Sequence, residues 1–156
     1  MNTKILGALA VVAMLSACAK TDTTASTGTG MAAPSGPVPG SQEDLVANVG
    51  DRVFFAFNVS ALTGDAKSTL DKQGAWLAKF PQNQVQIAGN TDERGTEEYN
   101  LALGQRRANA ARDYLVARGT ASSRISTISY GKDRPTALGS TEEAWAQNRN
   151  AITSVK

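Results

Sequence analysis

The 156-residue chain contains no histidine, which removes Ser-His and Cys-His nucleophilic dyads and every histidine-ligated metal site. It has one cysteine, so no disulfide can close within the chain. No metal or cofactor is expected. Neither sign of charge dominates: 16 basic residues against 14 acidic ones leave +2, with no polybasic run, a field too weak to suggest nucleic-acid binding. Ile5 to Leu15, the one long uncharged apolar stretch, falls short of the roughly 20 residues that span a bilayer. The chemistry left to an enzyme is carboxylate acid/base work, and Asp92, Glu93, Glu97 and Glu98 do cluster. Acidic residues at a helix start are expected on dipole grounds and need no catalytic role. The chain therefore reads as non-enzymatic.

What is present begins with a single positive charge at Lys4 followed by the apolar stretch, the pattern of a secretory signal peptide. It ends in Leu15-Ser16-Ala17-Cys18. This resembles the bacterial lipobox, which implies removal of residues 1–17 and acylation of Cys18. The alternative is an ordinary signal peptide with Cys18 near its cleavage site. Two or three acyl chains anchor stably where one does not, and Ala19 in place of Asp after the cysteine resembles an outer-membrane sorting signal. Residues 18–41 are mostly Thr, Ser, Gly, Ala and Pro, too poor in apolar groups to offset the entropy of ordering. They are expected to form a lipid-anchored flexible tether reaching roughly 25 Å. Residues 42–156 then suffice for one folded domain.

Within that domain, Glu43 to Asn48 is consistent with a short helix and Arg52 to Phe57 with a buried, aromatic-rich strand. Asp65 to Phe80 places Leu70, Trp76, Leu77 and Phe80 at near-helical spacing before Pro81. Gln84 to Ala88 alternates as a half-buried strand. From Thr96 to Arg118 a helix is expected, with Leu101, Gly104, Ala108, Ala111 and Leu115 as a narrow apolar stripe whose small residues let it sit close to a sheet. Gly119 stops it. A strand over Arg124 to Tyr130, a loop over Gly131 to Ser140, a short helix over Glu142 to Ala146 and a strand over Asn150 to Val155 complete the chain. Alternating strands and helices point to a two-layer α/β sandwich with one sheet.

The turn Asn90-Thr91-Asp92-Glu93-Arg94-Gly95 sets a carboxylate ahead of the long helix, and Gln105-Arg106-Arg107 sets a guanidinium upon it. Opposite charges on two elements can hold both ends of a zwitterion, the carboxylate taking an ammonium and the arginine a carboxylate bidentately. Each residue also has a plainer explanation. Asp92 suits a helix start, Arg107 a solvated helix face beside Arg106 and Arg112, Arg94 a pair with Glu97 or Glu98, and Arg149 a structural anchor.

From about Arg52 to Val155 the chain resembles the OmpA-like peptidoglycan-binding domain family, and within it the lipoprotein group that works in the Tol-Pal system. The resemblance is carried by Thr91-Asp92-Glu93-Arg94-Gly95-Thr96-Glu97-Glu98-Tyr99-Asn100, Leu103-Gly104-Gln105-Arg106-Arg107-Ala108-Asn109, Ile128-Ser129-Tyr130-Gly131-Lys132 and Asn148-Arg149. It implies a βαβαβ domain with a mixed sheet packed on helices, and non-covalent binding of peptidoglycan through the meso-diaminopimelate of its stem peptide. Asp92 would take the ammonium and Arg107 the carboxylate, with Thr91 and Asn100 shaping the site and Asn58, Arg94, Leu103 and Arg149 as further candidates. Replacing Asp92 or Arg107 by alanine is expected to abolish wall binding and leave the domain folded.

The resemblance also implies an outer-membrane lipoprotein facing the periplasm, with TolB and other Tol-Pal components as partners in envelope integrity and cell division. A module that mainly docks TolB-like proteins is the alternative function. Three positions depart from the family pattern. Asn58 stands where Asp is common, Asn90 and Thr91 where the lipoproteins carry His and Ala, and Asn150 where a second Arg is common.

Overall fold

The computed structural model describes residues 36–156. The expected signal peptide, Cys18 and most of the expected tether lie outside them. Each α-helix in this span starts on a hydroxyl side chain that accepts a backbone N–H of its first turn, the arrangement that satisfies otherwise orphaned donors. Ser41 caps α1 (Gln42–Asp44), which runs on as a π-helical turn over Leu45–Val49. Thr63 caps α2 (Gly64–Lys79), Thr96 caps α3 (Glu97–Ala117), and Thr141 caps α4 (Glu142–Asn148). Gly119, at φ 98°, ends the long helix. Asp44 ties the domain's first turn to its core. Its carboxylate accepts from Gly40 N at 2.8 Å, Trp76 Nε1 at 2.8 Å and Asn48 Nδ2 at 2.8 Å, and these bonds pull its pKa down to about 2.

Four strands, β1 (Arg52–Phe54), β2 (Val85–Asn90), β3 (Ile125–Gly131) and β4 (Asn150–Val155), form one mixed sheet in the order β1-β4-β2-β3. β2 and β3 are parallel, and β4 runs antiparallel to both β1 and β2. Helices α2 and α3 cover one face and bury Val53, Val85, Ile87 and Ala151 against Leu70, Leu77, Ala108, Ala111 and Leu115. Each such large side chain contributes about 1.5–3 kcal/mol by leaving water. The opposite face, with Gln86, Ala88, Ile152 and Ser154, remains half-buried. This is the two-layer arrangement expected from the alternation of elements.

The long helix meets the sheet through two glycines. A Cβ built on Gly89 would lie 1.8 Å from the Gly104 carbonyl oxygen, and one built on Gly104 would lie 2.7 Å from the Gly89 carbonyl oxygen. Backbone here rests on backbone, so the first turns of α3 are drawn onto the end of β2. The apolar stripe differs from expectation at one position. Leu101 is 37% exposed, whereas Leu103 is buried and lines a cavity with Phe57 and Asn58 of the loop after β1.

The first strand is also shorter than expected. Phe55 N still donates to Arg149 O at 2.8 Å, but β4 begins only at Asn150, so beyond Phe54 no strand is left to pair with. The carbonyls of Ala56 and Val59 turn instead to the Arg107 guanidinium, and Asn58 takes φ 55°, a left-handed conformation that Asn tolerates better than most residues. β2, by contrast, extends two residues past the expected Ala88 and delivers the Thr91–Gly95 turn beside this loop.

Candidate functional site

Between the loop after β1, the loop after β2 and the start of α3 lies a cavity of about 200 Å³. It is lined by seven of the residues named from sequence, Asn58, Thr91, Asp92, Arg94, Asn100, Leu103 and Arg107, and by Phe57, Gly95 and Tyr99. Its volume is that of a single side chain or a short peptide segment. Arg149, the eighth candidate, is not among the lining residues and reaches Asp92 from the junction of α4 and β4.

Asp92 is buried, 4% exposed. Burial alone would raise its pKa, but hydrogen bonds from the Arg94 side chain and backbone, with a further one from Arg149, override this and hold it below the ordinary carboxylate value. Arg149 joins three elements: Nε donates to Phe55 O at 3.1 Å, Nη1 to Asp92 at 3.4 Å and Nη2 to Glu142 at 2.8 Å. It thus ties the loop after β1, the Asp92 turn and α4 together. Arg94 pairs with Asp92 at 2.7 Å and with Glu142 at 3.8 Å, while Glu97 and Glu98 are not its partners.

Arg107 is the largest fully buried side chain in the described structure, so it does not sit on a solvated helix face. Its guanidinium donates to Val59 O at 2.9 Å, Asn90 O at 2.8 Å and Ala56 O at 3.0 Å, and lies 5.1 Å from the Phe55 ring centroid. Burial lowers its pKa to about 10, partly opposed by the charge of Asp92, so it stays cationic at neutral pH. Three of the five N–H groups of a guanidinium are spent on carbonyls, and two remain. These three bonds fix the side chain in one orientation.

Around these charges the turn is closed by Asn100, whose Nδ2 donates to Arg94 O and Thr96 O, both at 3.0 Å. Gly95 supplies φ 98° where the chain reverses into α3. The Thr91 hydroxyl is buried with no hydrogen-bond partner. Leu103 gives an apolar wall, and Asn58 accepts a hydrogen bond from the Tyr99 hydroxyl.

The positions that depart from the family pattern fall into two groups. Asn90 and Asn150 are each other's partners: Asn90 Nδ2 donates to Asn150 Oδ1 at 2.7 Å, while Asn150 Nδ2 donates to Gln147 O and Thr136 Oγ1. Neither is among the residues lining the cavity, whereas Asn58 and Thr91 are.

Sequence reasoning missed the aromatic frame. The Arg94 guanidinium lies between the rings of Phe57, at 4.0 Å, and Trp145, at 4.1 Å. Phe57 was hidden by being read as part of a strand, and Trp145 arrives from α4, more than fifty positions away in the chain. An aromatic excess near the first strand was the only local signal.

The model of the OmpA family matches residues 54–149. Across 96% of its length the chain is 47% identical to a peptidoglycan-associated lipoprotein of Rhizobium meliloti, covering 85% of that protein. It is 53% identical to one of Brucella melitensis over 74% of this chain and 68% of the relative. Among solved structures, the peptidoglycan-associated lipoprotein from Burkholderia pseudomallei superposes with a TM-score of 0.66 at 42% identity, covering 68% of this chain and 90% of that one.

Proposed function

The chain belongs to the OmpA family, among its peptidoglycan-associated lipoproteins, and from that premise we propose that it holds peptidoglycan non-covalently through the diaminopimelate of the stem peptide. It is a binding protein and not an enzyme, as its relatives are. In the proposed complex the ligand's terminal ammonium meets Asp92, its carboxylate meets the two unspent N–H groups of Arg107, and Leu103 packs on the methylenes between. Thr91 offers a hydroxyl that is otherwise unpaired. Arg149 holds Asp92 in place and Asn100 fixes the turn. The observation that carries the reading is a buried carboxylate and a buried guanidinium lining one cavity of side-chain size.

Acylation at Cys18 and a tether that ends ahead of Gly40, shorter than the expected residue 41 because Gly40 and Ser41 are bonded into the domain, would place the domain in the periplasm, hung from the outer membrane and reaching for the wall. We further propose that the chain works in the Tol-Pal system, with TolB docking over the same cavity. The exposed rings of Phe57 and Tyr99 at its rim, 55% and 42% accessible, support a protein partner there.

Sedimentation with purified sacculi tests both parts. Losing one member of a desolvated charge pair costs about 2–5 kcal/mol, so Asp92→Ala is expected to weaken retention by about thirtyfold or more. Added TolB is expected to release the wild-type chain. Undiminished retention of Asp92→Ala contradicts the site, and sacculi carrying both proteins at once contradict the shared surface.

A further inference from the structure

Asp92 has no acceptor site to spare. A carboxylate offers about four lone-pair directions, and four donors meet it. Oδ1 accepts the Arg94 backbone N–H at 3.2 Å and Arg94 Nε at 3.3 Å, and Oδ2 accepts Arg94 Nη2 at 2.7 Å and Arg149 Nη1 at 3.4 Å. An incoming ammonium reaches the carboxylate only by displacing one of them. Arg149 is poorly placed to leave, because its side chain is 10% exposed and is also held by Phe55 O and Glu142. Arg94 is well placed to leave, its side chain being 32% exposed and its stacking partner Phe57 lying on a loop that has left the sheet.

We infer that Arg94 is an internal occupant of the cation position on Asp92, and that a ligand's ammonium binds by exchanging with its guanidinium. The inference rests on the reading of this cavity as the ligand site. In the free protein Arg94 is retained by the Asp92 carboxylate, by Glu142 at 3.8 Å and by the Phe57 and Trp145 rings, whose faces attract any cation. Exchange preserves the charge balance of Asp92, since one cation replaces another, and Arg149 keeps the carboxylate paired throughout. The consequence is a threshold: observed affinity is lowered by the fraction of molecules in which Arg94 still covers Asp92. Arg94 thereby sets how strong a cation must be to enter. The unpaired Thr91 hydroxyl in the same cavity fits this account, since a buried polar group without a partner is costly and an entering ligand can supply one.

The test is calorimetric titration of the chain with a stem tripeptide ending in meso-diaminopimelate. Arg94→Gln is expected to bind about fivefold to tenfold tighter than wild type, the factor that a partly exposed ion pair and ring stacking together support. Arg94→Lys keeps an ammonium within reach of Asp92 and is expected to stay near wild type. Trp145→Leu removes one wall of the guanidinium slot and is expected to bind tighter by a smaller factor. If wild type binds and Arg94→Gln binds equally or more weakly, the exchange is overturned while wall binding stands. If wild type does not bind the tripeptide at all, the diaminopimelate reading falls, and the exchange falls with it.

Discussion

Replacing Arg107 by methionine is expected to destabilise the domain by about 3–5 kcal/mol, as well as to remove wall binding. Methionine fills most of the volume but donates nothing, so the carbonyls of Ala56, Val59 and Asn90 lose their partner together. Bonds to a charged donor contribute about 1.5–3 kcal/mol each, and acceptors left buried and unpaired lose that and more. Part of the loss is recovered where the loop after β1 opens to water, which keeps the total below the sum of three. Lysine is expected to rescue little, because an ammonium cannot spread to carbonyls on both the loop after β1 and the end of β2 as a planar fork does. Urea unfolding with sacculus retention measured in parallel checks this. A variant with wild-type stability that has merely lost the wall would show that Arg107 only contacts ligand.

The second large effect is expected from Gly89→Ala. The added Cβ would stand 1.8 Å from the Gly104 carbonyl oxygen and 2.6 Å from its carbon, and these are backbone atoms with no rotamer to yield. Helix α3 must lift from β2, which strains the packing of Ala108, Ala111 and Leu115 on the sheet. Overpacking of this kind costs about 1–3 kcal/mol and sometimes more, and two backbones in direct contact belong at the upper end. A fall in melting temperature of roughly 10 °C follows for a domain of this size. Because the same helix carries Asn100, Leu103 and Arg107, wall retention is expected to weaken as well. A Gly89→Ala chain that melts with the wild type would mean that α3 and β2 are not held by this contact.

Both effects lie where the sequence was only partly legible. Helix positions, strand order of appearance and the two-layer fold follow from periodicity and punctuation: Thr96 and Gly119 bound α3, and the small residues Gly104, Ala108 and Ala111 announce a close approach to a sheet. What they approach, Gly89, carries no local sign, since a glycine near a strand end is indistinguishable from a turn residue. The charges at Asp92 and Arg107 were legible as a pair suited to a zwitterion. The task of Arg107 in fixing the loop after β1 was not, because its three acceptors are main-chain carbonyls that every sequence possesses. The expectation that alanine at 107 would leave the domain folded therefore changes. The Phe57, Arg94 and Trp145 stack was equally hidden, for it is assembled from three segments with no common spacing. The Asn90 and Asn150 pair shows the opposite case. Two departures from the family pattern, unrelated along the chain, prove to be partners in one buried hydrogen bond.

Paired titrations of the unacylated chain decide whether one cavity reads both charges of the diaminopimelate terminus. One stem peptide carries meso-diaminopimelate and the other carries lysine, which keeps the ammonium and lacks the terminal carboxylate. The lysine peptide offers no carboxylate to the two remaining N–H groups of Arg107, and so forgoes a desolvated charge pair of the kind whose loss costs about 2–5 kcal/mol. The diaminopimelate peptide is expected to bind at least about thirtyfold tighter than the lysine peptide. Equal affinity for the two would contradict it.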